Sequence, residues 1–210
     1  MSRFFVNFAG CKRYEKFLLT KKKMNPFLIF CKNMVQLVLS PTHGWEDVAD
    51  EPEQPQVLLE KGFYPLLALV GVTAMTNGLY HPEPYSYVLQ LQTAIAQVVA
   101  LFVSMMLARA AFEAILPNVA GCPEDKVRFN TVCIYGISLM ALIEIIGNLS
   151  PTPLAALWFL PIFIVPMIWQ AHNYLQVAKE RQAAYLLVAF LTIIAMPVFF
   201  GWLLRLLIIR

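Results

Sequence analysis

Residues 85–108 read YSYVLQLQTAIAQVVALFVSMMLA and contain no charged side chain. About 20 predominantly apolar residues in helix are enough to cross roughly 30 Å of hydrocarbon, and this stretch meets that requirement with no acid or base to hide. Its apolar residues are continuous, unlike the alternating pattern of a membrane β-strand. A backbone immersed in lipid must satisfy its own hydrogen bonds, which makes a helix the reading.

Four further stretches of the same kind lie to either side: 63–80 before it, and 129–149, 154–178 and 183–204 after it. Short polar connectors separate them: His81-Pro82-Glu83-Pro84, residues 117–128, Ser150-Pro151-Thr152-Pro153 and Lys179-Glu180-Arg181. The composition agrees. The chain is 59% apolar and 14% charged, with a mean hydropathy of +0.63, against roughly 45–50% and about 25% in soluble domains. The expected fold class is therefore all-α, a polytopic membrane protein built as a bundle of five transmembrane helices. Pro161, Pro166 and Pro197 fall inside these stretches, and each removes a helical hydrogen bond, so kinks are expected.

Orientation follows from the bases, which are enriched in cytoplasmic loops. The segment before the first span holds nine of the 16 (Arg3, Lys12, Arg13, Lys16, Lys21, Lys22, Lys23, Lys32 and Lys61). The connectors then carry none, Lys126 with Arg128, none, and Lys179 with Arg181. This alternation places the N-terminus in the cytoplasm and the C-terminus on the far side, with Arg205 and Arg210 as the dissenting charges.

Three parts are expected: a basic tail over 1–24, a cytoplasmic amphipathic helix with an acidic linker over 25–62, and a transmembrane domain over 63–210. No removable signal is read, because the apolar stretch 27–39 is interrupted by Lys32, Asn33 and Gln36 and lacks a cleavage site. Met24, directly after Lys21-Lys22-Lys23, makes residues 1–23 readable as an upstream extension. Asn25-Pro26 offers a helix start. Phe27, Phe30, Met34 and Val38 then recur at helical spacing opposite Lys32, the pattern of a helix lying in the interface. Trp45 is expected as a headgroup-depth anchor, with Lys32, Phe27 and Phe30 as the other interface contacts. Asp47, Asp50, Glu51 and Glu53 read as a solvated linker.

The sharpest candidate for chemistry is Glu144, because an ionisable residue inside a span is costly. Counted from the span ends it lies at the depth of Gln92 or Gln97, near Asn77 and Arg205. The expectation is a polar cluster of Glu144, Gln97, Arg205 and Asn77, with Glu144 accepting from Gln97 or paired with Arg205. Two roles are open to it: a helix-to-helix bond that locks packing, or a proton or ion relay. Arg109 and Glu113, four apart on one helix face, are read as snorkelling residues with a weak ion pair. His43, His81 and His172 are too dispersed to bind one metal, and Cys11, Cys31, Cys122 and Cys133 show no zinc or disulfide spacing. No phosphate-cradling loop or catalytic triad appears, so no cofactor and no enzymatic activity are expected. Asn148-Leu149-Ser150 matches a glycosylation sequon that abuts the membrane. A net charge of +3, with no interleaved aromatics, argues against nucleic acid.

The organisation resembles the Yip-one domain family of Ypt/Rab-interacting membrane proteins. An amphipathic helix leads into Ser40-Pro41-Thr42-His43-Gly44-Trp45-Glu46, and a five-span bundle follows. The likeness continues at 121–128 with Phe129 and Tyr135, at Leu149-Ser150-Pro151, and at the span carrying Pro197. The resemblance covers about residues 25–210 and implies five spans with a cytoplasmic N-terminus. Gly62-Phe63-Tyr64-Pro65 stands where eukaryotic members carry an Asp-Leu-Tyr-Gly-Pro-like signature, so the chain is more similar to bacterial relatives than to Rab binders. The expected function is a non-enzymatic scaffold or adaptor in a bacterial inner membrane, with a small transporter or channel using Glu144 as the alternative. The partners implied are membrane lipid, a protein held through the cytoplasmic segment, and a second copy of the chain.

Overall fold

Asn25 and Pro26 start the first helix as their chemistry suggests: the Asn25 side chain accepts from the Phe27 N–H at 3.0 Å, and Pro26 fills the first helical position. The computed structural model describes residues 25–78, 86–150 and 155–208, and of residues 155–158 the backbone alone. Expectations for the tail 1–24, the connector His81-Pro82-Glu83-Pro84, residues 151–154 and Arg210 lie outside the described residues.

Helix α1 runs Pro26–Leu39, and the Ser40-Pro41 break turns the chain into α2, Pro41–Asp50. Helix α3 spans Pro55–Asn77, α4 Tyr87–Ala120 and α5 Lys126–Leu149. A 3-10 segment, Ala155–Phe163, leads into α6, Ile164–Tyr174, and α7 covers Lys179–Ile208. Among the described residues no strand occurs. Four helices, α3, α4, α5 and α7, are long and apolar enough to cross a membrane.

The stretch 154–178 departs from expectation. Its described part is not one continuous α-helix but nine residues of 3-10 helix followed by eleven of α-helix. Pro161 and Pro166 supply the reason: neither has an N–H for the carbonyl four residues back, and each ring crowds that carbonyl.

Proline shapes α3 and α7 in another way. Within α3, residues Leu59–Phe63 form a π turn in which the Tyr64 N–H reaches the Leu59 carbonyl, just before Pro65. Within α7, Phe190–Ala195 does the same, with the Met196 N–H on Leu191, just before Pro197. In each case the proline has no hydrogen for the carbonyl four back (Lys61 and Ile193), and a widened turn relieves the clash.

Caps fix the other ends. The Asp125 carboxylate accepts from the Val127 and Arg128 N–H groups at 3.0 and 3.1 Å, and α4 stops at Gly121 with φ +60°. At about 1.5 Å per residue, the 34 residues of α4 reach well past a 30 Å hydrocarbon layer.

Helices α3, α4 and α5 pack on one another, the C-terminal half of α7 packs on α4, and α6 packs on α5 and α2. Residues 131–140 of α5 are all buried, so α5 is the centre of the bundle. By contrast, only 28% of the most apolar window of α7 is covered by protein. Helices α1 and α2 do not stand apart as an interface-lying helix. Phe30, Met34 and Leu37 are buried against the bundle, while Leu28, Lys32, Val35 and Leu39 face outward. Gly62 permits this seat, since a Cβ there would come within 2.5 Å of the Phe30 ring.

Candidate functional site

Three clusters of polar or aromatic side chains join the helices. The first lies towards the C-terminal end of α5. Asn148, 2% exposed, pairs its amide with that of Gln97 in both directions, at 2.9 and 3.1 Å. The same Asn148 amide donates to the Thr73 hydroxyl at 3.3 Å and accepts from Asn77 at 3.4 Å. Three helices, α3, α4 and α5, are thus tied through one asparagine. An amide can serve this role because it carries two donors and an accepting oxygen.

This arrangement revises the expected cluster. Gln97 and Asn77 are in it, but Gln97 bonds Asn148 rather than Glu144. Glu144 sits half-buried one turn back on α5, and Arg205, exposed on α7, acts on it electrostatically. Gln92 is half-buried and outside the node. Asn148 was legible only as part of a sequon. Its amide is committed inside the bundle.

The second cluster is at the opposite end of α5. The Arg109 Nε donates to Asn130 at 2.6 Å, the Asn130 amide donates to Glu113 at 3.0 Å, and Lys126 lies 3.6 Å from Glu113. Arg109 and Glu113 therefore meet through Asn130, which is 5% exposed, rather than as a direct pair. The nearby Cys122 thiol donates to the Leu116 carbonyl, and burial pushes its pKa up, which keeps it protonated and unreactive.

The third cluster holds α1 and α2. Trp45, expected at headgroup depth, is only 3% exposed: its indole N–H donates to the Met167 carbonyl of α6 at 2.9 Å. Its ring stacks on Tyr174 at 5.0 Å and meets Tyr135 edge-on at 6.3 Å. Phe30 stacks on the other side of the junction, 5.1 Å from Tyr135. Arg128 lies over the Tyr174 ring at 5.5 Å and donates to the Tyr174 carbonyl at 2.9 Å. Trp45 and Phe30 are therefore protein-facing because the end of the bundle offers aromatic rings and a carbonyl. Phe27 is half-buried and Lys32 exposed.

Among the described residues no group of His, Cys, Asp and Glu is arranged to hold a metal. His43 contacts Glu46 at 3.0 Å on the surface of α2, remote in sequence from His172. An apolar groove of about 400 Å³ runs between α6 and α7, and a narrow polar cleft between the α2–α3 linker and the bundle is lined by Asn33, Glu51, Glu53, Thr131, Tyr135 and Tyr174. No family model matches the chain, and no curated protein and no solved structure matches it with significance.

Proposed function

We propose that the chain is a non-enzymatic scaffold or adaptor integral to a membrane, of the Yip-one type and seated in a bacterial inner membrane. The observation that carries the scaffold reading is how the buried polar groups are used. Asn148, Gln97, Thr73 and Asn77 bond one another across three helices, which locks packing and lines no path. The adaptor reading rests on α1 and α2. Trp45 pins them from beneath, while Glu46, Asp47, Asp50, Glu51 and Glu53 stay exposed around them, an acidic face for a basic partner segment.

Five crossings are supported by contacts at one end of the bundle. Arg128, at the start of α5, donates to the Tyr174 carbonyl, and Arg181 donates to the Asn118 carbonyl at 2.9 Å. The chain leaves that end along α5 and is back there at Tyr174, which supports a further crossing within residues 155–174. The alternating bases argue for a cytoplasmic N-terminus. The Yip-one resemblance supports the bacterial assignment.

In-membrane crosslinking of the tagged chain tests the adaptor role. A partner in fixed proportion, lost when residues 25–45 are deleted or Trp45 is replaced by Ala, is the expected outcome. Recovery of the chain alone, or only as its own oligomer, would overturn it. One observation favours transport instead: Glu144 is an ionisable side chain within α5, half-buried, outside the polar node and near the charge of Arg205. Under that reading Glu144→Gln abolishes a measurable ion flux from proteoliposomes.

A further inference from the structure

The groove between α6 and α7 is the larger of the two openings described above. Val165 and Ile168 form one wall, and Ala183, Leu186, Leu187 and Phe190 the other. The two helices are pinned side by side by the Tyr185 hydroxyl, which donates to the Ile168 carbonyl at 2.9 Å from a fully buried ring. Beside that pin the helices leave about 400 Å³ open laterally, within the range of small-molecule sites. Every lining side chain is apolar, so nothing in the groove would orient a polar solute. Its α7 wall, from Ala183 to Phe190, is about 10 Å long at 1.5 Å per residue and belongs to a helix apolar enough to cross a membrane. The medium with access to it is the bilayer.

The α7 wall is preceded in sequence by charged residues. Lys179 and Arg181 are exposed immediately before Ala183, with Glu180 between them. Arg181 is held in place, with its guanidinium donating to the Asn118 carbonyl at 2.9 Å. The same part of the chain thus offers an apolar trough and, just before it in sequence, two exposed cations against one anion. That combination matches a lipid with a negative headgroup, since basic residues at the membrane surface attract anionic lipids.

We propose that this groove seats one acyl chain of an anionic phospholipid whose phosphate is held by Lys179 and Arg181. The proposal rests on α7 spanning the membrane and is independent of the adaptor role.

Native mass spectrometry of the full chain, released from nanodiscs containing equal amounts of phosphatidylglycerol and phosphatidylcholine, reads the bound lipid directly. One retained phosphatidylglycerol per chain is expected. Ala183→Trp, which fills the trough from an exposed position, should lower that occupancy at least about fivefold. Lys179→Gln with Arg181→Gln should remove the preference for phosphatidylglycerol while leaving some lipid bound. Leu207→Trp, on the exposed face of α7 away from the groove, should change neither. Thermal melting of each variant checks that the bundle is intact. Equal retention in Ala183→Trp, no headgroup preference in the unmodified chain, or recovery of a free fatty acid instead of a phospholipid would each overturn the proposal.

Discussion

Asn148 shows how one side chain can outweigh a charge. Replacing it with Leu removes four hydrogen bonds and strands the Gln97 amide in a dry interior. A buried polar group left unpaired costs about 1–3 kcal/mol, so Asn148→Leu should lower stability by that much in detergent-induced unfolding. The double variant Asn148→Leu with Gln97→Leu should recover most of the loss, because the buried Gln97 amide is then no longer orphaned. The opposite sign is expected at Ser138. Its hydroxyl and that of Ser104 are buried without a partner among the described residues, so Ser138→Ala should stabilise the bundle by up to about 1 kcal/mol. An unchanged or lowered melting temperature for Ser138→Ala would show that the hydroxyl is bonded in the membrane. In the sequence, depth alone brings Gln97 and Asn77 into this cluster, and the cost of a charge inside a span singles out Glu144 as its hub. A carboxylate only accepts, whereas an asparagine both donates and accepts, and a hub needs both.

Elements reveal what the two proline-linked π turns and the docked helices contribute. Hydropathy located the four long apolar helices, since lipid and protein interior both select apolar runs. Hydropathy could not tell whether the amphipathic face of α1 meets lipid or protein, because Phe30, Met34 and Leu37 satisfy either. The deciding partner lies in distant sequence, in Tyr135, Met167 and Tyr174. Pro161, Pro166 and Pro197 announced irregular helices but not their kind: Pro197 follows a π turn, Pro161 lies within 3-10 helix and Pro166 near the start of α6, while Pro65, which carried no such expectation, also follows a π turn. Two substitutions probe the seat of α1 and α2. Trp45→Ala deletes a ring that is 3% exposed and should cost about 3–5 kcal/mol of local stability. Hydrogen exchange should then accelerate over residues 26–50 while α3, α4 and α5 stay protected. Gly62→Ala forces a methyl group to within 2.5 Å of the Phe30 ring, which is held in its stack on Tyr135, and should cost about 1–3 kcal/mol. Similar exchange rates over 26–50 in both variants and the parent chain would mean that the helices are already detached in the membrane.

At the level of the whole molecule, the number of crossings turns on residues 155–174. A continuous α-helix of that length would be about 30 Å long at 1.5 Å per residue. Laid end to end, nine residues of 3-10 helix and eleven of α-helix would span about 34 Å, because the 3-10 turn rises about 2.0 Å per residue. Proline therefore breaks the regular helix without shortening it below the roughly 30 Å of a bilayer core. A segment of this kind still needs its freed carbonyls satisfied, and irregular backbone at membrane depth is tolerated where protein covers it. The 3-10 segment and α6 both pack on α5, the most enclosed helix of the bundle. Single cysteines placed at Asp50, Asn118 and Gln176 in a chain with its native cysteines replaced should accordingly all react with an impermeant maleimide from one face of the membrane. A tag after residue 210 should be reached only from the other face. A C-terminal tag accessible from the same face as Asp50→Cys would leave four crossings, in which case the Arg128–Tyr174 and Arg181–Asn118 contacts would have to be absent from the membrane form.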